Sequence, residues 1–406
     1  MDIALEDMGE IEVKNIARPV RVFRYLRPGT GRVGGLNIQS KKAPPWLAGV
    51  ALVSVLAALI AGGGFWWFAG GGISKTPPPI MVAPDGKPSI AVLPFDNLSS
   101  DKEQEYFADG ISEDIITDLS KISGLVVIAR NSSFQFKGRK FDIKDVARKL
   151  GVRYILEGSV RRGGDTLRIN VQLIDGETGA HLWADRYDGS MRDIFSLQDQ
   201  VTAKIVSALA VTLTAGERAR VASRETESVA AHDAFLRGWS HYIQTTPEDY
   251  VKAVPFFEKA LARDPKYARV HAALAALFFA ARDKNWHLAL DATPDDLFEQ
   301  AIAHRDEALK RPSPLAYQVS SAIALEFRKH DKAIVEADKA IALDANDPAG
   351  YVAKTKALIL AGRAAEAVPL IERAMRLDPN FSADVLYNLG LAKFGAKDYP
   401  GAAAVL

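Results

Sequence analysis

Cysteine is absent from the 406 residues, which excludes disulfide scaffolds, thiolate zinc sites and cysteine nucleophiles and leaves the redox compartment open. Histidine is scarce. The seven, at positions 181, 232, 241, 271, 287, 304 and 330, include no pair at metal-ligand spacing, so each reads as a surface or internally satisfied side chain. An excess of one charge is also lacking: 51 Lys+Arg stand against 50 Asp+Glu, and a net charge of +1 gives no reason to expect nucleic acid or an acidic partner over the chain as a whole.

One stretch has no charge at all. Trp46 to Phe68 is 23 residues long and as a helix would span roughly 34 Å, against a hydrocarbon core of about 30 Å. The expectation is a single transmembrane helix over 46–68. Arg18, Arg21, Arg24, Arg27, Arg32, Lys41 and Lys42 precede it and only Lys75 closely follows, so the positive-inside rule puts the N-terminus in the cytoplasm. The expected location is the inner (cytoplasmic) membrane, single pass, with membrane lipid as a partner and the bulk of the chain periplasmic. Ser54, Ala58 and Gly62 recur at a spacing of four, which reads either as a transmembrane dimer face or as the ordinary small-residue content of a spanning helix.

Before that span, Ile11 and Val13 alternate with Glu10, Glu12 and Lys14, and Val20 and Val22 alternate with Arg21 and Phe23. Two short strands are expected, and two strands cannot bury a core by themselves. Residues 28–45 form a basic juxtamembrane linker. Gly29, Gly31 and Gly34 fit the spacing of a dinucleotide-binding loop, but no helix opens there and no acidic residue follows about 20 positions on, so the linker reading stands.

Residues 69–88 are a Gly/Pro-rich spacer, after which 89–220 shows the pattern of a compact α/β domain. Ser89 to Pro94 and Leu125 to Ala129 suit buried strands, while Glu105 to Ile122 and Ile143 to Leu150 have helical periodicity, the latter closed by Gly151. The period then drops to two over Tyr154–Val160, Leu167–Leu173 and His181–Tyr187, and returns to helical from Ile194 to Leu213. Asp109, Glu113, Asp114 and Asp118 invite a metal reading, yet Asp114 and Asp118 are one turn apart and read as a solvated polar face. Ser132 and Ser133 have no histidine nearby in sequence to support a nucleophile.

From 225 to 406 the chain repeats itself. Ala253 and Ala260, Ala301 and Ala308, Ala333 and Ala340, Ala367 and Ala374 place alanines seven apart, the later pairs recurring at about 32 and 34 residues, as packing positions on the second helix of a pair. Each unit closes with a breaker: Asp264-Pro265, Pro312, Asp344 with Pro348, and Asp378-Pro379-Asn380. The last unit stops at Leu406 without a polar cap, so truncation is expected there.

Three resemblances follow from these residues. Gly9-Glu10 with Lys14 to Val20 and Val22 to Arg24 resembles the closing hairpin of a class III adenylate/guanylate cyclase catalytic domain, so residues 1–27 are expected to be its terminal hairpin with the rest absent. Ala91 to Phe95, Tyr106 to Ile111, Glu157 to Arg161 and Leu182 to Asp188 resemble the TolB-like N-terminal domain, and the alanine period is similar to that of tetratricopeptide (TPR) repeats. The expected fold class is therefore multidomain: a single transmembrane helix, an α/β TolB-like domain, then an all-α TPR solenoid truncated at its C-terminus.

The resemblance implies the transmembrane and periplasmic sensory portion of a cyclase in cyclic nucleotide signalling. No catalytic, cofactor-binding or metal residue is assigned in this chain, and Mg or Mn is implied only for the missing cyclase domain. Expected partners are a protein or peptide ligand of the repeats and a second copy in a homodimer, with no nucleic acid. The alternatives are a non-enzymatic envelope scaffold with TPR-mediated protein binding, and a fragment of a membrane-bound winged-helix transcription regulator.

Overall fold

A computed structural model describes residues 86–406 and two strands nearer the N-terminus. Contacts divide the chain into two units, Met1–Ser74 and Lys75–Leu406. In the first, β1 (Leu5–Ile11) pairs antiparallel with β2 (Val20–Tyr25), Leu5 opposite Tyr25 and Ile11 opposite Val20. The alternation placed the second strand correctly but started the first one too late. A bulge between Asp7 and Glu10 breaks the period of two there, so pairing rather than alternation sets its start.

The expected transmembrane helix is not supported. The longest helix among the described residues, Pro247–Arg263, has 17 residues and carries Lys, Glu and Arg, and no described helix is long and apolar enough to cross a membrane. The single-pass inner-membrane location, with its cytoplasmic N-terminus and periplasmic bulk, loses its basis with it. Residues 46–68, including Ser54, Ala58 and Gly62, lie outside the described residues.

The second unit is built on a small mixed sheet of β3 (Ser89–Val92), β4 (Asp96–Asn97), β5 (Val126–Val127), β6 (Tyr154–Gly163), β7 (Thr166–Asp175) and β8 (His181–Ser190). The order is β5-β3-β6-β7-β8, with β4 alongside β6. β3 runs parallel to β5 and β6, which the crossovers through α1 (Glu105–Ser120), α2 (Arg130–Phe134) and α3 (Ile143–Leu150) make possible. β6, β7 and β8 form an antiparallel meander with Glu157 opposite Gln172 and Asn170 opposite Arg186.

Alternation assigns the faces. Leu156, Val160, Ile169, Val171 and Leu173 face one core with α1 and α4 (Ile194–Ala208), whereas Ala91, Leu93 and Ile155 pack with Val146, Ala147 and Leu150 of α3. α3 begins at Asp142, whose carboxylate accepts from the Lys144 amide at 2.8 Å. It ends at Gly151, where a φ of 67° suits the residue without a Cβ.

After α5 (Ala215–Val221) the helices pair consecutively. α6 (Val229–Tyr242) packs on α7 (Pro247–Arg263), α8 (Ala268–Asp283) on α9 (Pro294–Ala308), and α10 (Pro314–Glu326) on α11 (His330–Leu343). α12 (Pro348–Leu360) packs on α13 (Ala364–Leu377), and α14 (Ala383–Gly395) on α15 (Tyr399–Val405). The fold class is corrected accordingly: not a chain of separate α/β and all-α domains behind a spanning helix, but a mostly helical body with a small mixed sheet in one compact unit.

The turns between hairpins explain why. Asn346 donates from Nδ2 to the carbonyls of Ser120 and Leu125, both at 3.1 Å, and its Oδ1 accepts from the Val127 amide at 3.3 Å. Ser120 donates to Asp344 at 2.5 Å, and the Ala129 amide to Leu377 O at 2.8 Å. Ser132 donates to Asp378 at 2.5 Å and accepts from the Asn380 amide at 2.7 Å. The sheet edge at β5 is thus paired by the helical array rather than left to water.

Candidate functional site

Two places concentrate chemistry. The first is the acidic side of α1, which was expected to be solvated and is not: Glu113 and Asp114 are 8% and 7% exposed. α6 packs across α1, and Gly110 permits it, since a Cβ there would meet the Leu236 side chain at 2.7 Å. Helical periodicity alone could not reveal this, because Gln198, His232 and Arg269, which cover Asp114, lie 84, 118 and 155 positions away.

Asp114 lies 3.1 Å from His232 Nε2, accepts from Arg269 Nη1 at 2.9 Å and from Gln198 Nε2 at 2.9 Å. Burial opposes its charge, but His232 and Arg269 outweigh that and hold the carboxyl far below the usual carboxylate range. Arg269 sits 4.6 Å from the centroid of the Phe235 ring, itself 5.5 Å from Tyr267 and stacked on Trp239. Glu113 is pushed up by burial, although Arg130 Nε lies 2.8 Å from Oε2 and the Trp239 indole donates to Oε1. Every carboxylate here has a basic partner and the adjoining void is only about 60 Å³, so the cluster fastens α1 to α6 and α8 and leaves little room for a substrate.

The second place is a groove of about 1120 Å³ over the open face of the sheet. α3 covers the β3 side only, so Glu157, Ser159, Asn170 and Gln172 remain as its floor, where Gln172 donates to Glu157 and Asn170 Nδ2 donates to Ser159 Oγ at 3.0 Å. One wall is Phe136 to Phe141, the two rings edge to face at 5.7 Å with Lys137, Arg139 and Lys140 between them. Lys137 is tied to Asp109 at 2.5 Å and Glu105 at 2.8 Å. Burial, above all, pushes the Asp109 carboxyl up. An amphipathic groove of this size and mixed charge fits an extended peptide better than a compact metabolite.

The eight alanines at 253, 260, 301, 308, 333, 340, 367 and 374 are all at most 2% exposed, two each on α7, α9, α11 and α13. Ser132 does find a distant partner, but it is the Asp378 turn, a docking contact rather than a base. His271 and His304, 33 residues apart on α8 and α9, stand with Nδ1 atoms 2.9 Å apart, a proximity no local spacing could show. No group of three metal-ligating side chains is present among the described residues.

Residues 86–207 match the family described as HilA/YgeH-like transcriptional regulator, second domain. Over 308 residues, 76% of this chain, the sequence is 44% identical to a Rhizobium meliloti (strain 1021) protein named "Putative adenylate cyclase 3". The match spans 45% of that protein, so the chain covers less than half of its length. Among solved structures the chain is similar to TolB from Acinetobacter baumannii, at 22% identity over 31% of this chain and 29% of that one, with a TM-score of 0.25. It is also similar to a lipoprotein from Neisseria meningitidis, at 19% identity over 30% of this chain and 98% of that one, with a TM-score of 0.24.

Proposed function

We propose that this chain is the non-catalytic, partner-binding portion of an adenylate cyclase, and that a protein or peptide held by it changes the output of a cyclase catalytic domain. The observation that carries this reading is the 44% identity with a relative named as an adenylate cyclase, joined to the cyclase-like wording of Gly9 to Arg24. The groove above Glu157 and Asn170 supplies the docking surface. The paired helices, with small residues at matched positions, are read as TPR repeats offering a second one. Self-association as a homodimer belongs to the same proposal, as does a requirement for Mg or Mn confined to the catalytic domain.

A direct test joins residues 1–406 to an intact class III catalytic domain and compares it with the 406-residue chain alone. Cyclic AMP should come from the fusion and not from the chain alone. Filling the groove with Ser159→Trp should change the fusion's rate several-fold without loss of folded protein. Cyclic AMP made by the 406 residues alone, or a fusion indifferent to the groove, would overturn the reading. The HilA/YgeH-like match over 86–207 favours a second reading, in which the same body is the partner-binding half of a transcription regulator. Sequence-specific DNA binding by the protein would decide for it.

A further inference from the structure

Adjoining the void at the Asp114 cluster, and sharing Lys121, Arg224, Glu225 and Arg269 with it, a cleft of about 300 Å³ opens between the ends of α1, α5 and α11, the segment after α5, the start of α8 and the turn into α10. Its walls carry five basic side chains. Lys121 is engaged by Asp118 at 2.8 Å, and Arg269 by Asp114 and by Glu225 at 3.6 Å. Arg224 reaches Asp199 and Glu227, each at 3.3 Å.

The other two differ. Arg311 makes one hydrogen bond, to the carbonyl of Arg224 at 3.1 Å, and has no carboxylate partner among the described residues. Arg220 likewise has none, and its Nε is buried without a hydrogen-bond acceptor. A guanidinium that lines a cleft and has no carboxylate partner marks a position where an anion would be stabilised. Two longer helices start at this cleft. α8 follows Tyr267 and has no side-chain cap, so its first amides add partial positive charge here, whereas at α10 Pro314 has no N–H and Ser313 Oγ already accepts from the Ala316 amide at 3.3 Å. Against these stand Glu225, already shared with Arg269, and Asp344, held by Ser120. Pro312, Pro314 and Leu343 supply an apolar side.

We propose that this cleft is a binding site for a small phosphorylated molecule, with Arg220 and Arg311 as the phosphate-binding forks. Guanidinium groups match the oxygens of a phosphate two at a time, and the volume suits a ligand of mononucleotide size or smaller. The site is distinct from the sheet groove, and its failure would leave the partner-binding reading untouched.

Isothermal titration of the 406-residue chain at low ionic strength, with inorganic phosphate, pyrophosphate and AMP as probes and citrate as a comparison, tests it. At least one phosphate probe should bind saturably and more tightly than citrate. Arg220→Gln and Arg311→Gln should each weaken that binding about tenfold or more, whereas Arg168→Gln, on the sheet far from the cleft, should not. Ser313→Asp keeps a side chain able to cap α10 while adding negative charge to the wall, so it should abolish binding in a protein that still folds. Absence of saturable binding by every phosphate probe, a preference for citrate, or full binding in Ser313→Asp or Arg311→Gln would overturn the proposal.

Discussion

Asp114 illustrates how much a single buried carboxylate can hold. It satisfies Arg269, Gln198 and His232 from three other helices, and removing it would leave buried His232 without a carboxylate and Arg269 with only Glu225 at 3.6 Å. Asp114→Ala should therefore cost roughly 3–5 kcal/mol in urea unfolding, and Asp114→Asn, which keeps the shape, somewhat less. A loss under about 1 kcal/mol for the alanine variant would show that the cluster is not a fastening. The histidine pair makes a pH prediction. Burial, then the neighbouring His271, brings the His304 imidazole down to about 4 from an ordinary 6.5. A folded value below the unfolded one means the contribution is complete above pH 6.5 and is lost as pH falls toward 4. Stability should drop by on the order of 1 kcal/mol from about pH 7 to about pH 5, allowing for solvent screening of a partly exposed ring. His304→Gln should flatten that dependence, and an unchanged slope in the variant would refute it.

At the scale of elements, Asn346 decides the state of the β5 edge. Asn346→Ala removes three hydrogen bonds to Ser120, Leu125 and Val127, and a loss of roughly 2 kcal/mol is expected. Amide exchange at Val127 should accelerate well beyond the change seen at Ile155 in the middle of the sheet, and equal changes at both would contradict a local role. Much of this fold could be read from residue patterns. The switch from a period of 3.6 to a period of two after Gly151 marks the meander, and Gly151 itself marks the end of α3. What could not be read lies where distant segments meet. Asp344 and Asp378 look like helix breakers in sequence, and they are that, but more than 200 positions back the first also holds Ser120 at the end of α1 and the second Ser132 in α2, while Asn346 holds the β5 edge. The acidic face of α1 misled for the same reason: its cover is supplied by α6 and α8, and periodicity reports that a face is polar without reporting what lies opposite. Neither the sheet groove nor the cationic cleft has a motif, since each is assembled from four or more separate stretches.

At the scale of the molecule, sheet and helical array share one set of buried polar contacts, which predicts a joint loss of structure. Thermal or urea unfolding followed by far-ultraviolet circular dichroism, dominated by the hairpins, should coincide with unfolding followed by amide exchange in β6 and β7. Two separated transitions would show that the halves are independent after all. Successive turns of the array each meet a different partner along one seam: Asp264 takes Thr226, Arg311 the carbonyl of Arg224, Asn346 the β5 edge and Asp378 the start of α2. The hairpins are therefore not interchangeable bricks. Duplicating or excising one would slide every later turn off its partner, so this array should resist the lengthening and shortening that free-standing solenoids accept.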